Sequence, residues 1–365
     1  MSSADARRPG KFGFTILETA IAAAVLVTLL AAVLPMLGSG TYRSGMMVSA
    51  NNLRRIADGC AAYEATWNGR QWSKTNDAMG HYNGCSDYRN SACPPALVLG
   101  TDASEGLWGY WVPGIGPGCQ TYPGNCGNWV ALMPMVIGGT TGAVNGFATG
   151  FGSWTLINAR GLREYISTRF YDPVFYSPND ELVYQKLQAT AFGSAAEYSN
   201  PLEGFTSTYG QSPAAIWGVG TFRAPRDGGF RAPDDHPQAY ITPTASIAAY
   251  PDTKSRLMEQ RWCQQPPALA QPGSPSFPNP YRFNAGPGSQ PGTIFYDGHW
   301  SFVPMSTFAA DDAMAAQQTG DGLWSRDTPY GAGGVWANEA IDGFRNSAHL
   351  LTTEGILGRD LLKAK

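Results

Sequence analysis

Polar and apolar positions divide the N-terminal part of the chain into stretches of different texture. Residues 1–13 are basic, with Arg7, Arg8 and Lys11 against a single acid, Asp5. Residues 14–37 are apolar apart from Glu18 and three threonines. About 20 apolar residues match the hydrocarbon thickness of a bilayer, so this run predicts a membrane-embedded helix with its basic flank on the cytoplasmic side. Further on, Leu53, Ile56, Cys60 and Tyr63 recur at helical spacing, the stripe of an amphipathic helix. The pattern predicts one helix from Phe14 to Trp67, roughly 80 Å long at 1.5 Å per residue. Pro35 and the glycines Gly38, Gly40, Gly45 and Gly59 weaken it, because proline removes a hydrogen bond and glycine is a poor helix former. A break near Pro35–Gly45 is compatible with that pattern.

Residues 68–365 show little helical periodicity. Short β-branched or aromatic runs bounded by Gly, Pro and Asn predict strands at Leu107–Val112, Trp129–Ile137, Ser153–Ile157, Ala239–Ile241, Thr293–Tyr296 and Trp300–Val303. Gly161–Phe170, Asn179–Thr190 and Thr253–Arg261 read as short helices. Residues 264–289 are rich in Pro and Gly and read as a surface loop. Asp297-Gly298 between two apolar runs is a hairpin signal. No internal repeat is present.

Glu18 separates three readings of the N-terminal segment. A secretory signal peptide has a shorter apolar region. Arg7-Arg8 raises a twin-arginine signal, but the following Pro-Gly-Lys fits it poorly. A plain signal anchor leaves an acid inside the apolar run unexplained, and such acids usually have a partner. The third reading accounts for it. Gly13-Phe14-Thr15-Ile16-Leu17-Glu18 resembles the prepilin cleavage motif, in which a basic leader ends in Gly and is followed by Phe and, four residues on, Glu. The resemblance implies cleavage between Gly13 and Phe14, N-methylation of Phe14, and pairing of the Glu18 carboxylate with the new amine of a neighbouring subunit. Pro35 stands where many type IV pilins carry a helix-bending proline. Asn51-Asn52-Leu53-Arg54-Arg55-Ile56 resembles the stretch that follows the membrane helix in pseudopilins. The segment Phe295-Tyr296-Asp297-Gly298-His299-Trp300 is similar to the C-terminal hairpin of a large prepilin-like family of planctomycete-type bacteria, with Trp300 in place of the usual Val.

Composition narrows the function classes. Net charge is −3, which gives no footprint for nucleic acid. Charged residues are 15% of the chain, below the ~25% of ordinary soluble domains, and plentiful aromatics argue against disorder. Six cysteines include no CxxC pair. Cys85/Cys93 and Cys119/Cys126 sit in loop-like sequence and are candidate disulfides of an oxidising compartment, although six cysteines leave 15 pairings open. No GxSxG, HExxH or P-loop occurs, so no catalytic residue is assigned and no enzyme is expected. His299 reads as a turn residue stacking on Trp300, and Asp234-Asp235-His236 as a solvated loop, with cation binding as the alternative. Asp311, Asp312, Asp321 and Asp327 prompt a calcium site, but no spaced DxDxDG loop supports it; otherwise no cofactor is implied. Trp108, Trp111, Trp129 and Trp154, with Tyr110 and Tyr122, read as core residues or as a carbohydrate groove, core being favoured.

The expected architecture is α+β: a long N-terminal helix, membrane-embedded in its first half, packed on a loop-rich, mainly antiparallel β domain. Its divisions are a leader at 1–13, a membrane and spine helix at 14–67 and an extracytoplasmic domain at 68–365. The function that the resemblance implies is a structural subunit, major or minor, of a type IV pilus or type II secretion pseudopilus. Its partners would be prepilin peptidase, other pilin or pseudopilin subunits and inner-membrane lipid. The alternative is a membrane-tethered extracytoplasmic binding protein that uses the same signal without polymerising.

Overall fold

The computed structural model describes residues 15–73, 97–101, 104, 107–110, 133–137, 152–166, 169–198, 206–259, 289–330 and 347–364. Two compact units are distinguished, Met1–Gly45 and Met46–Lys365. Helix α1 runs Ile16–Thr66 with no break at Pro35–Gly45. Its C-terminal stop is local chemistry. Asn68 and Gly69 adopt left-handed backbone with φ 56° and 80°, and the Gly69 N–H returns to the Glu64 carbonyl at 2.7 Å. Such a left-handed turn satisfies carbonyls that a helix end leaves open.

The expected architecture requires correction at both ends. Among the described residues no helix is long and apolar enough to cross a membrane. In its second part, α1 carries Arg43, Arg54, Arg55, Asp58 and Glu64, so it is amphipathic there rather than apolar. The remainder is not mainly β either. Strands β1 (Leu97–Thr101) and β2 (Leu107–Tyr110) form a two-stranded ladder. β3 (Tyr209–Gln211), β4 (Ser255–Glu259), β5 (Gly292–Phe295) and β6 (Trp300–Phe302) form an antiparallel sheet in the order β3-β4-β5-β6. Short helices and 3-10 turns carry much of what lies between.

The strands expected around Leu107, Thr293 and Trp300 form. Two others close locally instead, as 3-10 turns at Ser153–Thr155 and Pro237–Tyr240. Of the run Trp129–Ile137, the described residues 133–137 contain no strand beyond a single bridge. The helix expected at Thr253–Arg261 is strand β4, because β3 and β5 pair with it on both sides and long-range pairing overrides a weak local preference. The helix expected at Gly161–Phe170 shortens to α2 (Arg160–Arg163), and that at Asn179–Thr190 forms as α3 (Glu181–Thr190). Beyond α4 (Pro213–Ile216), the Ala-rich α5 (Met305–Thr319) was not anticipated, although its residues are good helix formers and Gly320 ends it at φ 80°.

One continuous core gathers the second part of α1, the four-stranded sheet, α5 and the C-terminal segment. Leu53, Ile56, Leu257, Ile294, Phe308, Leu350 and Leu361 are each no more than 1% exposed. Gly59 explains how closely the helix seats: a Cβ there would lie 2.0 Å from Ile166 Cγ1. The glycine that weakens the isolated helix is what lets it pack.

Candidate functional site

Two stretches of α1 carry the residues singled out in the sequence. The Gly13–Phe14 junction lies outside the described residues, and Pro35 lies within α1. Glu18 is in the first turn. Its carboxylate accepts the Thr15 N–H at 2.8 Å and the Thr15 hydroxyl at 2.9 Å, and the Glu18 N–H is 3.3 Å from Thr15 Oγ1. This reciprocal pair is a capping box, T-x-x-E, which satisfies donors that a helix start leaves open, and the acid sits at the positive end of the helix dipole. Thr15 and Glu18 spell this box within the same residues that carry the cleavage motif. Around the cap the apolar side chains face outward: Ile16 is 91% exposed and Leu17 69%.

The second stretch reverses this. Ser49, Asn52, Leu53, Ile56 and Cys60 are buried, and the polar ones are tied to other elements. The Ser49 hydroxyl donates to Glu259 of β4 and accepts the Tyr209 hydroxyl of β3 at 3.0 Å. Glu259 in turn accepts the Gly292 N–H of β5 at 2.9 Å. Asn52 Nδ2 donates to the carbonyls of Pro173 and Tyr176, each at 3.3 Å. One turn of helix thus bonds directly to two strands and a loop, and reaches β5 through Glu259. At its far end Glu64 pairs with Arg256. Arg54 lies over the Trp300 ring, 4.9 Å from its centroid, a cation–π contact.

The Asp-Gly hairpin forms as expected, with Gly298 at φ 88° in the turn between β5 and β6. His299 stacks on Phe295 with ring centroids 4.3 Å apart, not on Trp300, and its Nδ1 lies 2.6 Å from Asp297 Oδ1. His236 is buried rather than solvated, and burial lowers its pKa to about 4. Trp154 is core; the side chains of Trp108 and Tyr110, and the whole of Trp111, Tyr122 and Trp129, lie outside the described set.

The four aspartates considered for calcium are not brought together. Asp311 accepts the Leu362 N–H at 2.9 Å, Asp312 the Leu323 N–H at 2.7 Å with Arg326 beside it, and Asp327 the Phe230 N–H at 2.6 Å. Asp321 pairs with Arg226 at 3.3 Å. Among the described residues no group of His, Cys, Asp and Glu could hold a metal ion. Cys85, Cys93, Cys119 and Cys126 lie outside the described residues. Cys60, a member of the helical stripe, is a free, buried thiol, and desolvation pushes its pKa up to about 11.

A buried polar cluster was not visible in the sequence. Lys254 Nζ donates to Asp360 Oδ2 at 2.9 Å, to Ser212 Oγ at 2.9 Å and to Thr352 Oγ1 at 2.7 Å. Ser255 donates to Asp360 through its N–H at 2.9 Å and through its hydroxyl, and that hydroxyl also lies 2.9 Å from His349 Nδ1. All six residues are no more than 1% exposed. A Ser, a His and an Asp meet here with no exposed atom to offer a substrate, so the cluster is not a hydrolase triad. No spacing marks residues 212, 254, 255, 349, 352 and 360 as partners; only the fold assembles them.

No protein-family model, no curated protein and no solved structure matches the chain.

Proposed function

We propose that the chain is a structural, non-enzymatic subunit of a type IV pilus or type II secretion pseudopilus, processed between Gly13 and Phe14 and assembled through the N-terminal part of α1. The observation that supports this most is the division within that helix. Residues 49–64 are fastened to the sheet, whereas Ile16, Leu17, Ile21, Val25, Leu26 and Val27 each leave more than half of their surface uncovered. Apolar side chains on one long helix are stable in water only when something covers them, and other copies of the same segment would do so. The reading sets the 46–365 unit on the outer side of the inner membrane and leaves the basic leader, which prepilin peptidase would remove, on the cytoplasmic side.

Mass spectrometry of the mature N-terminus tests it. The expected product begins at N-methylated Phe14, and Gly13→Arg leaves the precursor uncut. A mature chain beginning at Met1, or near Gly40, overturns the processing reading. A processed chain that stays monomeric by in-cell crosslinking moves the conclusion to the tethered binding protein.

A further inference from the structure

The buried cluster around Lys254 has a chemical consequence that filament assembly does not use. We infer that Lys254 and Asp360 are the two partners of an intramolecular amide crosslink, joining the residue that leads into β4 to the C-terminal segment across 106 residues of chain.

The ingredients are on hand. Nucleophile and electrophile are 0% and 1% exposed at 2.9 Å, so the reacting groups are held together, which replaces the loss of freedom a bimolecular step would require. The ammonium is aimed by two further acceptors, Ser212 and Thr352. Donors surround the carboxyl group. The His349 N–H at 3.1 Å and the Thr352 hydroxyl at 2.6 Å bind Oδ1, and the Ser255 N–H binds Oδ2. Fixed donors of this kind hold the negative charge that a tetrahedral intermediate places on its oxygens. Ser255 Oγ bridges Asp360 Oδ2 and His349 Nδ1, a path by which a proton can reach the departing oxygen.

The step begins when Nζ passes a proton to the carboxylate along their hydrogen bond. The neutral amine then attacks Cγ. The Nζ–Cγ bond forms and the Cγ–Oδ2 bond breaks. Oδ2 leaves as water with two of the three ammonium protons, and the third stays on the amide nitrogen. No oxidant or co-reactant is needed. The starting pair is two charges in a dry interior, an arrangement whose desolvation opposes it, and burial already lowers the Lys254 pKa toward the neutral amine. The product is a neutral amide that retains the His349 and Thr352 donors.

Peptide mapping of the full, folded chain after denaturation and trypsin decides the matter. The expected result is peptide 232–256, uncut at Lys254, joined to peptide 360–363 and lighter than the two together by one water. Lys254→Met, an uncharged chain that cannot condense, should give peptide 360–363 free. If the wild-type digest contains a peptide ending at Lys254 and an unlinked 360–363, the pair is a simple buried ion pair and the inference fails. The wild-type map is sufficient even if the variant does not fold.

Discussion

Residues 16–28 and 49–64 belong to one helix and live by opposite rules. In the first stretch the apolar side chains face outward, and the single ionisable group, Glu18, is spent on capping its own helix. In the second the apolar side chains are buried, Ser49 and Glu64 reach across to the sheet, and Asn52 binds the carbonyls of Pro173 and Tyr176. Helix propensity is adequate in both, so it does not distinguish them. What differs is whether the sheet is there to cover the apolar stripe. An amphipathic helix gains most of its stability from that cover, so the second stretch is secured by the sheet, and the first has no such cover among the described residues.

Acid should break the comparison most strongly, because it acts on the buried part. His349 is buried and neutral, with its pKa lowered to about 3 by desolvation and then by Lys254. His236 is lowered to about 4, again chiefly by burial. The unfolded chain binds these protons near pH 6.5 and the folded chain does not. Stability is therefore complete above about 6.5 and falls with pH through that window, by up to about 1.4 kcal/mol per pH unit for each histidine. In chains whose Lys254–Asp360 pair has not condensed, Asp360, held down to about 2 by Lys254 and its hydrogen bonds against the opposing effect of burial, extends the loss below pH 4. Urea titrations at pH 7, 5.5 and 4.5 should show a steadily falling midpoint; a flat profile would mean that the histidines are solvated.

Ile56→Ala acts on the helix itself. Ile56 is 0% exposed, and the loss of its side chain should cost about 2–5 kcal/mol, read as a lowered denaturation midpoint. The same change at Ile21, which is 56% exposed, should leave the midpoint of the folded unit unchanged. Ser49→Ala should fall between the two. It leaves a buried Glu259 oxygen and the Tyr209 hydroxyl short of a partner, at about 1–3 kcal/mol. A neutral Ser49→Ala would show that water replaces the hydroxyl.

The contrast along α1 was partly legible before any coordinates. The stripe Leu53, Ile56, Cys60 and Tyr63 marks the buried face, and its members enter the core or pack against it. The Asp-Gly hairpin was legible because a turn is local chemistry. The break compatible with Pro35–Gly45 does not form, since three glycines and a proline lower propensity without specifying where a chain bends. β4 was misread as helix because its partners, β3 and β5, lie dozens of residues away. The cluster of Lys254, His349 and Asp360 was invisible for the same reason, as no local pattern announces a partner about a hundred residues distant. The second role of Glu18 was in plain view as T-x-x-E.

That second role leads to the finest test, and the smallest effect on stability. Glu18 can matter as a cap, as a charge, or as both. A glutamine keeps the capping box, because its amide oxygen accepts the Thr15 N–H as the carboxylate does, and it removes the charge. Glu18→Gln should therefore leave helix content and the denaturation midpoint of the folded unit at wild-type values, and cleavage at Gly13 should proceed. If the carboxylate neutralises the freed amine of a neighbouring Phe14, as an opposite charge within about 4–6 Å would, the variant loses assembly, seen as missing crosslinked oligomers or sheared filaments. Thr15→Val is the converse: it removes the hydroxyl of the cap and keeps the charge, so it should fray the first turn in hydrogen exchange yet still assemble. If Glu18→Gln assembles like wild type while Thr15→Val does not, the acid serves only its own helix start, and the exposed side chains from Ile16 to Val27 must find their cover without an ion pair.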